Sequence, residues 1–248
     1  MSLDNYQYNF SSQHRILYDA RQREQKANKI FSVLSSYLGE LGNLSLLDVG
    51  CSTGIMTNLL SERFQHTTGI DIDDEGVHYA QRNFVRSNLR FLVGDCMNIG
   101  FPADSFDVVN CSHIYEHVPD SRQLVSEIYR VLRPGGVCFF AAANRIAVKD
   151  PEYGLPFLSM LPKRISHKYV RMFKRSDFYY EYFLTYWQLR KLVSDFELID
   201  YTTKIIAEPE KYFATDMIKA GSLKQSFSLF ILRYAYWLCP TYIWLLKK

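Results

Sequence analysis

Residues 46–54 read LLDVGCSTG: an apolar run ending on an acid, then a glycine turn. A helical pattern carrying Met56, Leu59, Leu60 and Phe64 follows. Gly50 lets the backbone turn sharply and a ligand approach closely, and Gly54 opens the helix without a Cβ in the way. A strand, a glycine turn and a helix in this order are the first unit of a nucleotide-binding α/β fold. Outward from it the alternation continues. Thr67–Ile72 reads as a second strand, Glu75–Ser87 as a helix, Leu89–Val93 as a third strand and Asp107–Ser112 as a fourth. Pro119–Leu132 reads as a helix stopped at Arg133-Pro134-Gly135-Gly136, and Val137–Ala142 as a fifth strand. Near-continuous apolar strands alternating with helices predict a parallel sheet covered on both faces.

Upstream, residues 14–38 carry Ala27, Ile30, Phe31, Leu34 and Leu38 at helical spacing, so residues 1–43 are expected to form an N-terminal helical cap. Downstream the rhythm breaks over residues 144–180, read as a basic insertion. Thr185–Phe196 is expected to be a helix and Glu197–Ile206 a strand. Residues 209–238 read as a mostly helical apolar insertion, and Thr241–Leu246 as a last strand. The whole is expected to be one domain, a seven-stranded, mostly parallel α/β sheet around a core at residues 44–143, with the two insertions forming a lid.

Composition limits the alternatives. The chain has 248 residues, 48% hydrophobic and 15% aromatic, which excludes a disordered or collagen-like chain. The net charge of +3 does not by itself imply nucleic acid, and no nucleic-acid-binding module accompanies it. Five cysteines with no C-x-x-C pair give no disulfide framework, and residues 1–15 lack an apolar signal core. A cytoplasmic location is therefore expected.

The acids select the ligand. Asp71 ends the second strand about 20 residues after the turn, where a carboxylate can take two ribose hydroxyls. Gly50-x-x-x-Gly54 is not the dinucleotide spacing. Asp48, just under the turn, repels a pyrophosphate and suits a cation. S-adenosylmethionine carries a sulfonium and an ammonium group. Asp95 could then accept from the adenine amino group, and the Cys96 N–H could give to a ring nitrogen.

At this point the chain resembles the class I S-adenosylmethionine-dependent methyltransferases. LLDVGCSTG, GIDID, GDCMNIGFPADSFDVV, EHVPD and RVLRPGG occur in that family's order. DVVNCSHIYEHVPD followed by AAANR is similar to the ubiquinone-biosynthesis O-methyltransferases and related small-molecule enzymes. The resemblance places the cofactor on Asp48, Gly50, Asp71, Asp95 and Ser112, with Cys51, Gly54, Ile72 and Cys96 beside them. Ser52 stands where the family commonly has Gly. The resemblance also implies methyl transfer to a small-molecule or lipid-linked acceptor, with a hydroxyl as the expected target. The alternatives are a soluble amine or carboxylate, or a catalytically silent scaffold on a membrane partner.

His113, Glu116 and His117 are the candidate catalytic cluster at the opening of the fourth strand. His-x-x-Glu-His could also hold a divalent ion, but Glu-His here packs under the loop in metal-free relatives, and no metal site is assigned.

Residues 156–176 hold six cations and no acid, and residues 217–248 hold five and no acid, both interleaved with large apolar side chains. This pattern predicts an anionic membrane surface as a partner, with the apolar helix 226–239 lying in the interface. The competing expectation is that this helix is buried on the sheet and the charges are merely solvated.

Overall fold

The computed structural model describes Ser11, residues 15–150 and residues 152–248. Seven strands form one sheet: β1 (Ser45–Val49), β2 (His66–Asp71), β3 (Leu89–Val93), β4 (Phe106–Ser112), β5 (Leu132–Ala143), β6 (Glu197–Asp200) and β7 (Thr241–Lys247). Their order is β3-β2-β1-β4-β5-β7-β6. All pairs are parallel except those of β7, which runs antiparallel to both β5 and β6. The expected mostly parallel sheet is therefore present, and its order reverses between β1 and β4. That is the switch point at which α/β sheets open a crevice beyond their strand ends.

The helices are α1 (Ala20–Leu38), α2 (Ile55–Leu60), α3 (Asp74–Asn83), α4 (Ser121–Val131), α5 (Lys163–Met172), α6 (Tyr186–Leu192), α7 (Thr202–Ala207) and α8 (Leu223–Tyr234). Their apolar stripes cover both sheet faces. On one face Leu124, Ile128 and Leu189 pack with Phe140 and the fully buried Trp244. On the other, Ile30, Leu34 and Leu60 pack with Leu46, Phe139 and Leu245.

Several boundaries differ from the sequence reading. α1 starts at Ala20, capped by Asp19 accepting from the Gln22 N–H, and Arg15–Tyr18 form a separate 3-10 turn. Residue 14, like the N-terminal stretch through residue 10, lies outside the described residues. α4 starts after Asp120, whose carboxylate accepts from Arg122 and Gln123. β5 begins at Leu132 and carries Arg133–Gly136 as an irregularity between Phe106 and Val108 of β4. The expected strand Glu197–Ile206 ends at Asp200, because the Asp200 carboxylate accepts from Thr202 N and Thr203 N and starts α7. Of residues 209–238 only α8 and a 3-10 turn, Tyr236–Leu238, are helical.

Residues 144–184 carry a small core of their own: Leu155, Leu158, Val170, Tyr179 and Phe183 against Ala143. Asp150 is buried in it, accepting from Tyr179 Oη at 3.0 Å and from the Tyr153 N–H at 2.9 Å. The return limb is stitched to the loop after β4. Tyr182 N donates to Glu116 O at 2.8 Å, and Leu184 N to Tyr115 Oη at 3.2 Å.

The charge reading needs three corrections. Lys163 turns inward, donating to Tyr179 O at 2.7 Å and lying over the Tyr179 and Tyr182 rings; burial pushes its pKa down to about 8. Lys247 and Lys248 pair with Glu197 and Asp104, where β7 meets the start of β5, away from the strand ends that carry the turn. α8 is not core, since Leu232 is its only buried residue. No described helix is long and apolar enough to cross a membrane.

Candidate active site

A cavity of about 760 Å³ opens at the carboxyl ends of β1, β2 and β4. Gly50, Cys51, Asp71, Ile72, Cys96, Ser112, His113 and His117 line it, all of them expected from sequence. Asp48, Gly54, Asp95 and Glu116 do not line it and act from behind or beside the wall.

The glycine turn is held by its neighbours. Gly50 N and Cys51 N both donate to Ile70 O, and Ser52 N donates to Asp71 Oδ2 at 2.7 Å. Gly50 has φ +75°, and a Cβ there would run into the Ile114 side chain that lines the cavity. Gly54 also has a positive φ, and its absent Cβ leaves room for Ala80 and Phe91. Ser52 sits at φ +49°, so the family's usual Gly relieves backbone strain at a position where this chain keeps a side chain.

Asp48 is fully buried under this turn. Its carboxylate accepts from Thr57 Oγ1 and from Asn110 Nδ2 at 2.6 Å. Burial pushes its pKa up to about 6, against the pull of those two hydrogen bonds. Direct contact with a ligand, as the sequence suggested, is therefore replaced by a negative charge acting through the turn. Asp71 uses one oxygen on Ser52 N and the other on Asp73 N at 2.9 Å, which leaves lone pairs toward the cavity. Its pKa is also raised by burial. Asp95 accepts from Met97 N at 2.7 Å and shapes the loop after β3, of which Gly94 and Cys96 reach the wall.

On the far side, His113 occupies φ +58° and its Nδ1 lies 3.2 Å from Glu116 Oε1. Glu116 is 2% exposed, so it holds His113 rather than meeting a ligand. His117 Nδ1 lies 3.9 Å from Glu181 Oε1. Glu181, from the insertion's return limb, is equally buried, and burial raises its pKa while His117 opposes the rise. Among the described residues no three His, Cys, Asp or Glu side chains converge as a metal set.

Sequence reasoning missed Glu181 and one face of α1. Arg23, Lys26 and Lys29, at successive three-residue steps, line the cavity, and burial lowers the pKa of each. Below them the floor is apolar: Ile30, Met56, Phe139, Ala141 and Ile243. The i, i+3, i+6 spacing was visible in the sequence, but a basic stripe on a helix ordinarily faces water.

A sheet of this order, with a glycine turn over a buried acid and a second acid at the end of β2, defines the class I S-adenosylmethionine-dependent methyltransferases. Residues 47–140 of the chain match a methyltransferase-domain family. The chain is 32% identical over 147 residues to a ubiquinone biosynthesis O-methyltransferase of Pseudomonas entomophila, covering 55% of this chain and 61% of that one. It is 34% identical over 140 residues to the enzyme of that name from Idiomarina loihiensis, covering 53% and 56%. The chain thus spans about three-fifths of the length of these relatives. An S-adenosylmethionine-dependent methyltransferase structure from Mesorhizobium loti aligns with a TM-score of 0.57 at 16% identity, over 89% of this chain and 98% of that one, and shares the fold.

The cavity fits S-adenosylmethionine. Its lining joins the glycine turn, from Gly50 to Thr53, to the Asp71 carboxylate, with the buried Asp48 carboxyl behind the turn, a set of groups suited to a cationic nucleoside.

Proposed function

We propose that the protein transfers a methyl group from S-adenosylmethionine to a hydroxyl of a small acceptor bearing an anionic group. The observation that carries this reading is His117 at the cavity wall, with the buried Glu181 carboxyl behind its Nδ1. The bound cofactor supplies an electrophilic sulfonium methyl. Gly50–Thr53, Asp71 and Ser112 hold it in place. His117, on the cavity wall, would take the proton of the acceptor hydroxyl. Glu181 faces the resulting imidazolium and orients the ring. An amine acceptor in its cationic form would be opposed by the α1 cations, whereas Arg23, Lys26 and Lys29 above an apolar floor favour an anion on an apolar body. The insertion 144–180 covers the acceptor, and the chain acts as one domain.

The test follows conversion of S-adenosylmethionine to S-adenosylhomocysteine with hydroxylated aromatic acids, their neutral esters and the matching amines. The acids are expected to turn over best. His117→Ala should lower turnover by roughly 10²–10⁴ with cofactor affinity intact, the range for loss of a general base. Amine turnover that survives His117→Ala would overturn the hydroxyl assignment.

A further inference from the structure

α8 leaves one side of itself uncovered. At about 100° per residue, Leu223, Phe227, Phe230 and Tyr234 share an arc of roughly 60°. They are 90%, 66%, 57% and 66% exposed. Lys224 and Arg233, both exposed, lie about a quarter turn to either side of the centre of that arc. Opposite it, Leu232 is buried, and Gln225 Nε2 donates to Ile206 O at 2.8 Å and Ala207 O at 3.1 Å, fixing the helix to α7. An apolar stripe this continuous is uncommon on a surface that meets only water.

The flanking charges choose the occupant. A second copy docked through a two-fold axis would set the same cation-edged stripe against itself, and residues 217–248 supply no acid to pair with it. A lipid surface has no such conflict. It offers acyl chains to the stripe and phosphates to the cations, and aromatic side chains suit headgroup depth. We infer that α8 lies flat in the surface of an anionic membrane, with Leu223, Phe227, Phe230 and Tyr234 in the acyl boundary and Lys224 and Arg233 on lipid phosphates. This surface stands independently of which acceptor is methylated, and it narrows the membrane face expected from sequence to one helix.

The experiment is co-sedimentation of the full chain with phosphatidylcholine vesicles, with and without roughly one-third phosphatidylglycerol, at low and high salt. The wild type should pellet with the anionic vesicles at low salt and be released by about 0.5 M salt only in part, because the apolar contact is not screened. Phe227→Ser with Phe230→Ser should weaken binding at least about tenfold, and Lys224→Glu with Arg233→Glu should abolish the preference for anionic vesicles. Both pairs are exposed, so unchanged cofactor affinity will confirm folding. A wild type that stays in the supernatant overturns the inference. So does an aromatic double variant that binds as the wild type does, or a wild-type dimer that the same variant converts to monomer.

Discussion

Replacing Asp48 with Asn tests whether a buried charge, without touching the ligand, holds a cationic cofactor. Asp48 has no exposed surface, and its pKa is pushed up to about 6 by burial. Such a group is about 90% ionised at pH 7 and about 10% at pH 5. A cofactor that needs the ionised form should therefore bind the wild type about tenfold more weakly at pH 5 than at pH 7. Asp71, also raised, adds to this fall in the same direction. In Asp48→Asn the Asp48 share of the pH dependence should vanish, and affinity at pH 7 should drop at least about tenfold. Stability follows a different sign. A pKa raised above its unfolded value contributes stability below about pH 4, which is lost as pH rises through about 6, so at pH 7 the ionised group costs up to about 3 kcal/mol. Asn removes that cost and keeps an oxygen for Asn110, but its Nδ2 then faces Thr57 Oγ1, which must accept where it donates in the wild type. The two offset, and the thermal midpoint at pH 7 should move little. Calorimetric titration with S-adenosylhomocysteine at both pH values, beside a melting curve, reads both quantities. A variant that keeps wild-type affinity and the full pH dependence refutes the argument.

Asp71→Ala should cost about 1.5–3 kcal/mol of cofactor affinity by the same titration, the range for charge-assisted hydrogen bonds, and should loosen the turn by freeing Ser52 N. Gly54→Ala places a Cβ 2.5 Å from Ala80 Cβ at a φ of +73°, so denaturant melts should show a loss of at least about 2 kcal/mol. Ser52→Gly should do the reverse, relieving φ +49° for a gain of up to about 1 kcal/mol without weakening the cofactor. Glu181→Gln should lower turnover far more than it raises the acceptor KM and should shift the acid limb of the pH–rate profile, a signature that loss of packing alone would not give.

Most of the cofactor half was legible in the sequence because its constraints are local. A glycine that must bend, an acid at a strand end and a strand-helix period each occupy a few adjacent residues. The acceptor half was not, since Glu181 meets His117 across a long insertion and Arg23, Lys26 and Lys29 become wall only once α1 is laid over the cavity. Asp200 misled for a related reason. The apolar run through Ile206 fits a strand, but one carboxylate capping two N–H groups starts a helix instead. α8 reads as apolar nearly all round, and only its packing on α7 shows which side is free.

The return limb of the insertion hydrogen-bonds its backbone to Glu116 and to Tyr115 Oη, and the same limb supplies Glu181. The segment from residue 144 to residue 184 and the loop that bears the histidines are therefore one mechanical piece. A graft that moved residues 144–184 alone into a related scaffold would carry the carboxyl without the ring it faces and leave the recipient's histidine loop unsupported. Exchange of acceptor preference between such enzymes should succeed only when the segment from residue 113 to residue 184 travels as a unit. Natural divergence of substrate choice in this lineage is constrained in the same way, because drift in that segment must keep pace with the loop to which it is bonded.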